Sequence, residues 1–311
     1  MTFVFRALFV SLGVFAALYC FSSLLVVSGW HLWLRLRSTR PNYKAKLLFA
    51  LRLLPVVSSA VLTLAFALPA FLLLEQGFDE DLGTFVFSGC CLMIFGAGLL
   101  RVWIAHAKGS RVASAWLEGA NSLLSDKTQL LLQANKAVAP LVLIGVSRPK
   151  VVISQKAASL LSDEELQVAI RHEVGHIRSR DNLKKMILHT LPFPGMASLE
   201  DAWQEAIELA ADDAAVSNRC EAIDLAAALL KVAELVPLQE PPAFTTALVR
   251  ASAIVELRVQ HLLEWTEVGS QKPRIRWRYV LPLIAATTAS LATHYAWALL
   301  LTHQATEWFI H

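Results

Sequence analysis

The sequence has few charged residues for a chain of its length. Only 17% of its 311 residues are charged, whereas 56% are hydrophobic and many of these lie in long apolar runs. This balance excludes an ordinary soluble enzyme, so membrane spans have to be assigned before anything else. The net charge of +3 is small and the basic residues cluster beside apolar runs. That distribution indicates contact with lipid headgroups and gives no case for nucleic acid as a partner.

Cysteine is also scarce, with four residues in the whole chain. Cys20, Cys90 and Cys91 fall in apolar runs, and Cys220 stands alone. The spacing predicts neither a disulfide framework nor a cysteine-rich metal site.

Four apolar runs are long enough to cross a bilayer, which takes about 20 residues. We predict transmembrane helices at about 7–34, 53–74, 84–107 and 279–302. The first is expected to be a retained anchor and not a cleaved signal peptide, because its dense basic stretch follows the apolar run. Residues 1–107 then form a membrane region with three spans, and 279–311 form the fourth span with a short outer tail.

Two basic clusters orient these spans. Six basic residues lie between Arg35 and Arg52 with no acidic residue among them, and a second cluster lies between Lys272 and Arg278. Short loops rich in lysine and arginine stay on the cytoplasmic side. We therefore expect a multi-pass protein of the inner (cytoplasmic) membrane, with both termini outside. His294, inside the fourth span, either has a function or belongs to an interfacial aromatic belt, and no role is assigned to it.

Residues 108–278 are less hydropathic and are long enough for one globular core, which we expect in the cytoplasm. The pattern predicts an amphipathic helix over 111–133 and a hairpin from strands at 141–146 and 151–154. Two more helices are predicted at 226–236 and 247–265. The last of these carries Glu256, Arg258 and His261, to which no role is assigned.

The strongest signal is the H-E-x-x-H pattern from His172 to His176, in a stretch that is predicted to be helical. Ser162 followed by Glu165 has the capping-box spacing that starts such a helix. Residues four apart lie on one face of a helix, so both imidazoles can bind one zinc ion while Glu173 faces the water beside it.

A catalytic zinc site takes three protein ligands, so one further ligand is needed. Glu208 is the best candidate, in a second predicted helix that follows the break at 192–195. Asp212, one turn later, can accept a hydrogen bond from a ligand histidine and fix its tautomer. The alternative is that Glu205, Glu208 and Asp212 form a solvated acidic face.

H-E-x-x-H followed by E-x-x-A-D, here Glu208 to Asp212, resembles the gluzincin metallopeptidases. The stretch from His176 to Asn182 is most similar to the BlaR/MecR antirepressor branch of integral-membrane peptidases. The resemblance implies zinc bound by His172, His176 and Glu208, with Glu173 as general base. The best-known members of this branch carry an extracellular penicillin-binding sensor domain after the last span, and we expect none here because the sequence stops at His311. In gluzincins an edge strand at the position of the predicted hairpin holds the substrate backbone; a purely structural hairpin is the alternative.

The expected fold is therefore a mainly α integral membrane protein with four transmembrane helices. A cytoplasmic gluzincin-like α+β zinc-peptidase domain lies between the third and fourth spans. The expected activity is regulated hydrolysis of a protein or peptide substrate, such as a transcriptional repressor or the enzyme itself, with Zn²⁺ as cofactor. The lipid bilayer and a regulatory partner in the membrane or cytoplasm are further expected partners. The alternatives are a quality-control or processing protease of the HtpX or CAAX type and a zinc-binding signalling protein that does not cleave.

Overall fold

A computed structural model describes most of the chain in two compact units. The first unit groups 1–34, 53–96 and 269–311, and the second groups 35–52 and 97–268. The described residues are 3–33, 40–74, 82–118, 121–122, 131–134, 140–146, 149–191, 193–235, 246–247, 252–266, 294–295, 297, 299–302 and 304.

Long helices make up the described part of the chain up to Leu117. They are α1 (Phe3–Trp33), α2 (Pro41–Leu62), a π-helical turn (Thr63–Ala67), α3 (Leu68–Leu74) and α4 (Leu82–Leu117). Two segments, Ala7–Trp30 and Pro41–Leu74, are long and apolar enough to cross a membrane by length and composition. They contain the first and second predicted spans almost entirely. The third predicted span lies within α4 and stays a prediction, and residues 279–293 of the fourth lie outside the described residues.

Several hydroxyl groups of the first unit donate hydrogen bonds to backbone carbonyls. Ser88 Oγ donates to the Phe9 carbonyl at 2.7 Å, joining α4 to α1. Pro69 has no N–H to donate to the Ala65 carbonyl four residues earlier, and the Tyr295 hydroxyl donates to that carbonyl at 2.7 Å. A neighbouring segment thus satisfies a carbonyl that a proline frees, as membrane helices require.

The second unit contains a mixed sheet of five described strands in the order β1-β2-β4-β3-β5. Strand β2 pairs with β4 in parallel, and the other pairs are antiparallel. The strands are β1 (Asn121–Ser122), β2 (Leu131–Ala134), β3 (Leu141–Ile144), β4 (Lys150–Ser154) and β5 (Thr246–Ala247). The predicted β3–β4 hairpin is confirmed.

The predicted helix over 111–133 is wrong at 121–122 and 131–133, and 119–120 and 123–130 lie outside the described residues. Its first residues continue α4, and 121–122 and 131–134 are strands. Leu131 to Ala134 pair residue by residue with Val151 to Ser154, and this tertiary pairing outweighs the helical periodicity of the segment. Likewise Ala247, predicted to begin a helix, lies in β5.

Strands β3 and β4 are buried on both faces, which explains their unbroken apolar sequences. Leu141, Leu143, Val151 and Ile153 face a core shared with the helices that follow the sheet. Alternate residues such as Val142 face a smaller core that contains Trp116 of α4. In the described sheet neither hairpin strand is an edge, because β2 flanks β4 and β5 flanks β3.

The remaining helices build the other side of the main core. They are α5 (Gln155–Leu160), α6 (Asp163–Ser179), α7 (Asp181–Thr190), α8 (Ala197–Ala215), α9 (Arg219–Ala233) and α10 (Ser252–Leu263). The first part of α2, Pro41–Arg52, belongs to this unit and contacts α8. Phe49 packs on Trp203 with ring centroids 6.0 Å apart, and the buried Arg52 Nε donates to Glu200 Oε1 at 2.8 Å.

Candidate metal centre

The H-E-x-x-H sequence lies on α6, whose start follows the predicted capping box. Ser162 Oγ accepts from the Glu165 N–H at 3.2 Å, and Glu165 Oε2 accepts from the Ser162 N–H at 2.8 Å. The helix ends at Arg180, which adopts left-handed geometry with φ 55° and ψ 41° and donates its N–H to the carbonyls of His176 and Ile177. His172, Glu173 and His176 are all buried on this helix.

Helix α8 packs closely on α6 and supplies the carboxylates. Gly175, between the two histidines, faces Ala211, whose Cα would lie 3.5 Å from a Cβ built at that position. Small residues at this contact let Glu208 and Asp212, on the same face of α8, reach the two imidazoles. Both carboxylates are buried, so they do not form a solvated acidic face. Glu205 lies apart from them and pairs with Lys44 at 3.1 Å.

Three ligand atoms converge at this contact. His172 Nε2 and His176 Nε2 are 3.2 Å apart, and Glu208 Oε2 lies 3.6 Å from the first and 3.7 Å from the second. Tetrahedral zinc binds nitrogen and oxygen at about 2.0–2.2 Å, which places its ligands roughly 3.3–3.5 Å from each other. Glu208 Oε2 is buried and makes no hydrogen bond, and the nearest cation that the structure describes is Arg258 Nη1 at 3.3 Å. The three residues can therefore hold a metal ion.

Each histidine is oriented by its own carboxylate. His172 Nδ1 lies 2.8 Å from Asp212 Oδ1, and His176 Nδ1 lies 2.8 Å from Asp181 Oδ2. A carboxylate accepts the Nδ1 proton, which leaves the Nε2 lone pair directed at the cluster. Both imidazoles thus present the nitrogen that a metal would bind.

Arg258 of α10 supplies the buried positive charge. Its Nε and Nη2 donate to the two oxygens of Asp212 at 2.8 and 2.7 Å, and its Nη1 lies 3.3 Å from Glu208 Oε2. Such a two-pronged contact fixes both partners. Arg258 therefore connects the third helix of the site to both carboxylates of α8.

The pKa values follow from this arrangement. Burial lowers the pKa of His176, but the charge of Glu208 and the hydrogen bond to Asp181 outweigh it and raise the pKa to about 9. Burial raises the pKa of Asp212, yet the Arg258 guanidinium brings it down to about 2. Burial likewise opposes ionisation of Glu208, but His176 and His172 hold its pKa well below the usual value. The charges in the cluster are therefore mutually dependent.

Glu173 differs from the other carboxylates because its pKa is raised. Burial is the main cause, and the nearby Glu208 carboxylate adds to it, while the two histidines act in the opposite direction. A carboxylate with a raised pKa holds a proton more readily near neutral pH.

The sequence analysis left two residues of this cluster without a role. Asp181 stands in the stretch that suggested the family, but its contact with His176 depends on the left-handed turn at Arg180. Arg258 was noted on its helix and not assigned, since a single arginine 46 residues after Asp212 carries no spacing signal. His261, also unassigned, pairs with Asp213 at 2.8 Å. His294 is exposed.

One comparison with known proteins bears on this site. The family model described as BlaR1 peptidase M56 matches residues 88–262, more than half of the chain, and the match includes the whole metal-ligand cluster. No curated protein matches the sequence.

Proposed function

The chain belongs to the BlaR1 peptidase M56 family, and from this membership and the His172–His176–Glu208 cluster we propose that it is a membrane-held zinc endopeptidase in regulated signalling. The family resemblance that the sequence suggested is confirmed. Membership makes the chain a metallopeptidase of a membrane-protein family, and its two apolar helical segments agree with that. The observation that carries the proposal is the triangle of ligand atoms with edges of 3.2, 3.6 and 3.7 Å.

In this proposal His172, His176 and Glu208 hold the zinc ion. When bound, the ion supplies Lewis acidity and makes water a stronger nucleophile. Asp212 keeps His172 in the tautomer that offers Nε2, and Arg258 keeps Asp212 ionised and in place. The burial of all five side chains excludes bulk solvent from these contacts and makes each of them electrostatically stronger.

Glu173 is the proposed general base. It lies on α6 between the two histidines, and its carboxylate would accept a proton from the attacking water and donate it to the leaving amine. Its raised pKa suits this exchange, because an acid with a pKa nearer to neutral both takes and returns a proton readily. The reaction is hydrolysis of a peptide bond.

The proposed substrate is a cytoplasmic regulator such as a transcriptional repressor, or the enzyme itself. Strand β5 supports the second. Thr246 and Ala247 pair with Leu143 and Val142 of β3 as an antiparallel edge strand, which is how peptide substrates add to a sheet. The β5 segment belongs to the chain itself and follows α9. It would therefore present its peptide bonds to β3 in the antiparallel orientation of a bound substrate peptide. Mapping the cleavage products of the active protein would show whether cuts fall near this strand.

Two alternatives stay open beside this proposal. A quality-control or processing protease of the HtpX or CAAX type would share the metal site. HtpX-type proteins have two spans before the motif, whereas three are predicted here, which favours the antirepressor branch by analogy. A signalling protein that binds zinc without cleaving would have no use for Glu173, because that residue is not among the three ligand candidates.

The deciding experiment changes Glu173 to Ala in the full chain. We expect one zinc per chain in both forms and no cleavage by the variant, because Glu173 acts as a base and not as a ligand. Intact cytoplasmic proteomes with and without the active protein would identify fragments that require Glu173. Loss of zinc from the variant would move Glu173 into the ligand set and defeat this assignment, and broad cleavage of unfolded proteins would favour the quality-control alternative.

A further inference from the structure

The turn between α6 and α7 places an acidic side chain against the second zinc-ligand candidate. Arg180 is the single non-glycine residue with positive φ among the described residues, and it ends α6 and begins α7. A residue other than glycine adopts this left-handed conformation at a cost and keeps it where the surrounding structure requires it. Here it reverses the chain so that Asp181, five residues after His176, returns to that imidazole at 2.8 Å.

Asp181 is itself fixed on its other side. It is buried, and its Oδ1 accepts from Lys184 Nζ at 3.0 Å, one turn further along α7. One carboxylate oxygen therefore faces His176 and the other faces a lysine. This arrangement leaves the carboxylate little freedom to rotate, so it can define the plane and tautomer of the ring.

Lys184 also contacts a second structural element, helix α2. Lys184 Nζ lies 5.7 Å from the centroid of the Phe49 ring, within the range of a cation–π contact. Phe49 lies in the α2 foot, by which we mean Pro41–Arg52, the part of α2 that belongs to the second unit. The α2 foot also contacts α8 through Trp203 and through the ion pair of Arg52 with Glu200. It therefore touches both helices whose carboxylates orient the histidines.

We propose that Asp181 is the positioning residue of His176 and that the α2 foot holds Asp181 in place through Phe49 and Lys184. The proposal rests on the proposed zinc site. It adds that the site has two supports of different origin, Asp212 with Arg258 on one side and Asp181 with Lys184 on the other. The second support is built partly by a segment that precedes the H-E-x-x-H sequence by more than a hundred residues.

The test measures zinc affinity of the full chain by chelator competition at pH 9.5, where protons compete little for His176. Asp181→Ala should weaken zinc binding by roughly 10- to 100-fold, the effect expected when the partner of a ligand histidine is lost. Asp181→Asn keeps an oxygen that can accept from Nδ1 and should recover part of the loss. In the metal-free protein, ¹⁵N shifts of labelled histidine should show one fixed tautomer for His176 in the parent and a mixture in Asp181→Ala.

The role of the α2 foot is tested by a double-mutant cycle. Lys184→Met should weaken zinc binding several-fold and Phe49→Leu about twofold, which is the weak end of a cation–π contact. Phe49→Leu should then have a smaller effect in the Lys184→Met background, because its contact with Lys184 is already lost while its packing on Trp203 remains. Tyr43→Leu is the matched control, because Tyr43 is an exposed aromatic residue of the same segment, and it should change nothing.

The outcomes separate the two proposals. A parent protein that binds no zinc at this cluster would defeat the proposed function. Tight zinc binding by both Asp181 variants, with the His176 tautomer unchanged, would leave the proposed function standing and overturn the role of Asp181. Additive effects of Phe49→Leu and Lys184→Met would overturn the link to the α2 foot. Should Asp181→Ala fail to fold, the affinity and tautomer of Asp181→Asn decide the same question.

Discussion

The two units bury different kinds of polar group. Among the described residues, the buried polar side chains of the first unit are all hydroxyls: Ser11, Ser23, Ser59, Thr63 and Ser88. Those of the second unit are mostly charged, and they include the cluster around His172 and His176. A neutral hydroxyl costs less to bury than a charge, which needs a partner of opposite sign. Ser59 and Ser88 donate to helix carbonyls, and Ser11, Ser23 and Thr63 are buried with no hydrogen-bond partner in the part of the chain that the structure describes.

This difference indicates that the second unit is the one suited to catalysis. Hydroxyl contacts such as that of Ser88 with the Phe9 carbonyl, at 2.7 Å, join helices without creating any strong field. The charges around Glu208 and Arg258 set one another's ionisation and converge on one small volume. Arg52 is the last residue of the second unit before the chain enters the first, and it too is paired, with Glu200.

The largest effect is expected from removing the carboxylate ligand candidate. Glu208→Ala should empty the metal site and reduce proteolysis to background, because a catalytic zinc site takes three protein ligands and two of the three candidates would remain. Glu205→Ala is the control on the same helix, and it should keep both metal and activity, since the Glu205 side chain is 36% exposed against 5% for Glu208. Metal analysis of the two purified variants decides. The reverse result would show that the wrong face of α8 had been chosen.

Removing the buried positive charge should cost stability. Arg258→Met leaves Asp212 and Glu208 as buried carboxylates without their guanidinium partner, a loss of roughly 3–5 kcal/mol for a broken buried pair. Arg171→Met removes an ion pair of similar length, 2.8 Å to Glu221, but on the surface, and should cost less than about 1 kcal/mol. Denaturant unfolding of the metal-free proteins measures both. Equal losses would mean that burial does not distinguish the two pairs.

The three ligand candidates and the support Asp212 could be predicted from sequence, whereas the supports Arg258 and Asp181 could not. His172 and His176 lie one turn apart on one helix, and Glu208 and Asp212 lie one turn apart on a second helix, so each pair has the regular spacing of a helix face. Arg258 reaches the site from a separate helix, so only the packing of α10 on α8 shows its role. Asp181 depends on a left-handed turn at Arg180, and arginine has no preference for that conformation.

The fold likewise has features that local sequence predicts and features that it does not. The capping box at Ser162 and the β3–β4 hairpin follow from local residue patterns and are confirmed. Local spacing predicts a helix for the segment of β2, because its apolar residues fit a helical period and its partners in β4 lie twenty residues further along. The position of β5 beside β3 also requires a pairing between distant parts of the chain, which no local pattern encodes.

The charged cluster should make the second unit respond to pH. The pKa of His176 is raised from 6.5 to about 9 in the fold, so its protonated form stabilises the metal-free protein fully below about pH 6.5. That stabilisation is lost as the pH rises through about 9. A metal needs the neutral ring, so zinc affinity should rise up to about tenfold per pH unit between pH 7 and 9. Chelator competition across this range measures the rise in zinc affinity. Denaturant unfolding of the zinc-loaded protein is the control for stability, because its His176 is already neutral and its stability should show no loss as the pH rises through about 9. A flat affinity profile would contradict the raised pKa.

The smallest effect is expected in the first unit, where a single hydroxyl contact is removed. Tyr295→Phe deletes the hydrogen bond to the Ala65 carbonyl, which lies four residues before Pro69 in the π-helical turn. Hydrogen bonds between membrane helices contribute about 0.6 kcal/mol on average and at most about 1.7 kcal/mol. We expect a loss in that range, since the Pro69 nitrogen has no proton to offer in place of the hydroxyl. Ser58→Ala is the control, because Ser58 Oγ donates within its own helix, to the Leu54 carbonyl at 2.7 Å. Thermal unfolding in detergent measures both variants, and zinc affinity should be unchanged in each. A loss for Tyr295→Phe as large as that for Arg258→Met would mean that the first unit also depends on a few strong polar contacts, and the contrast between the units would fail.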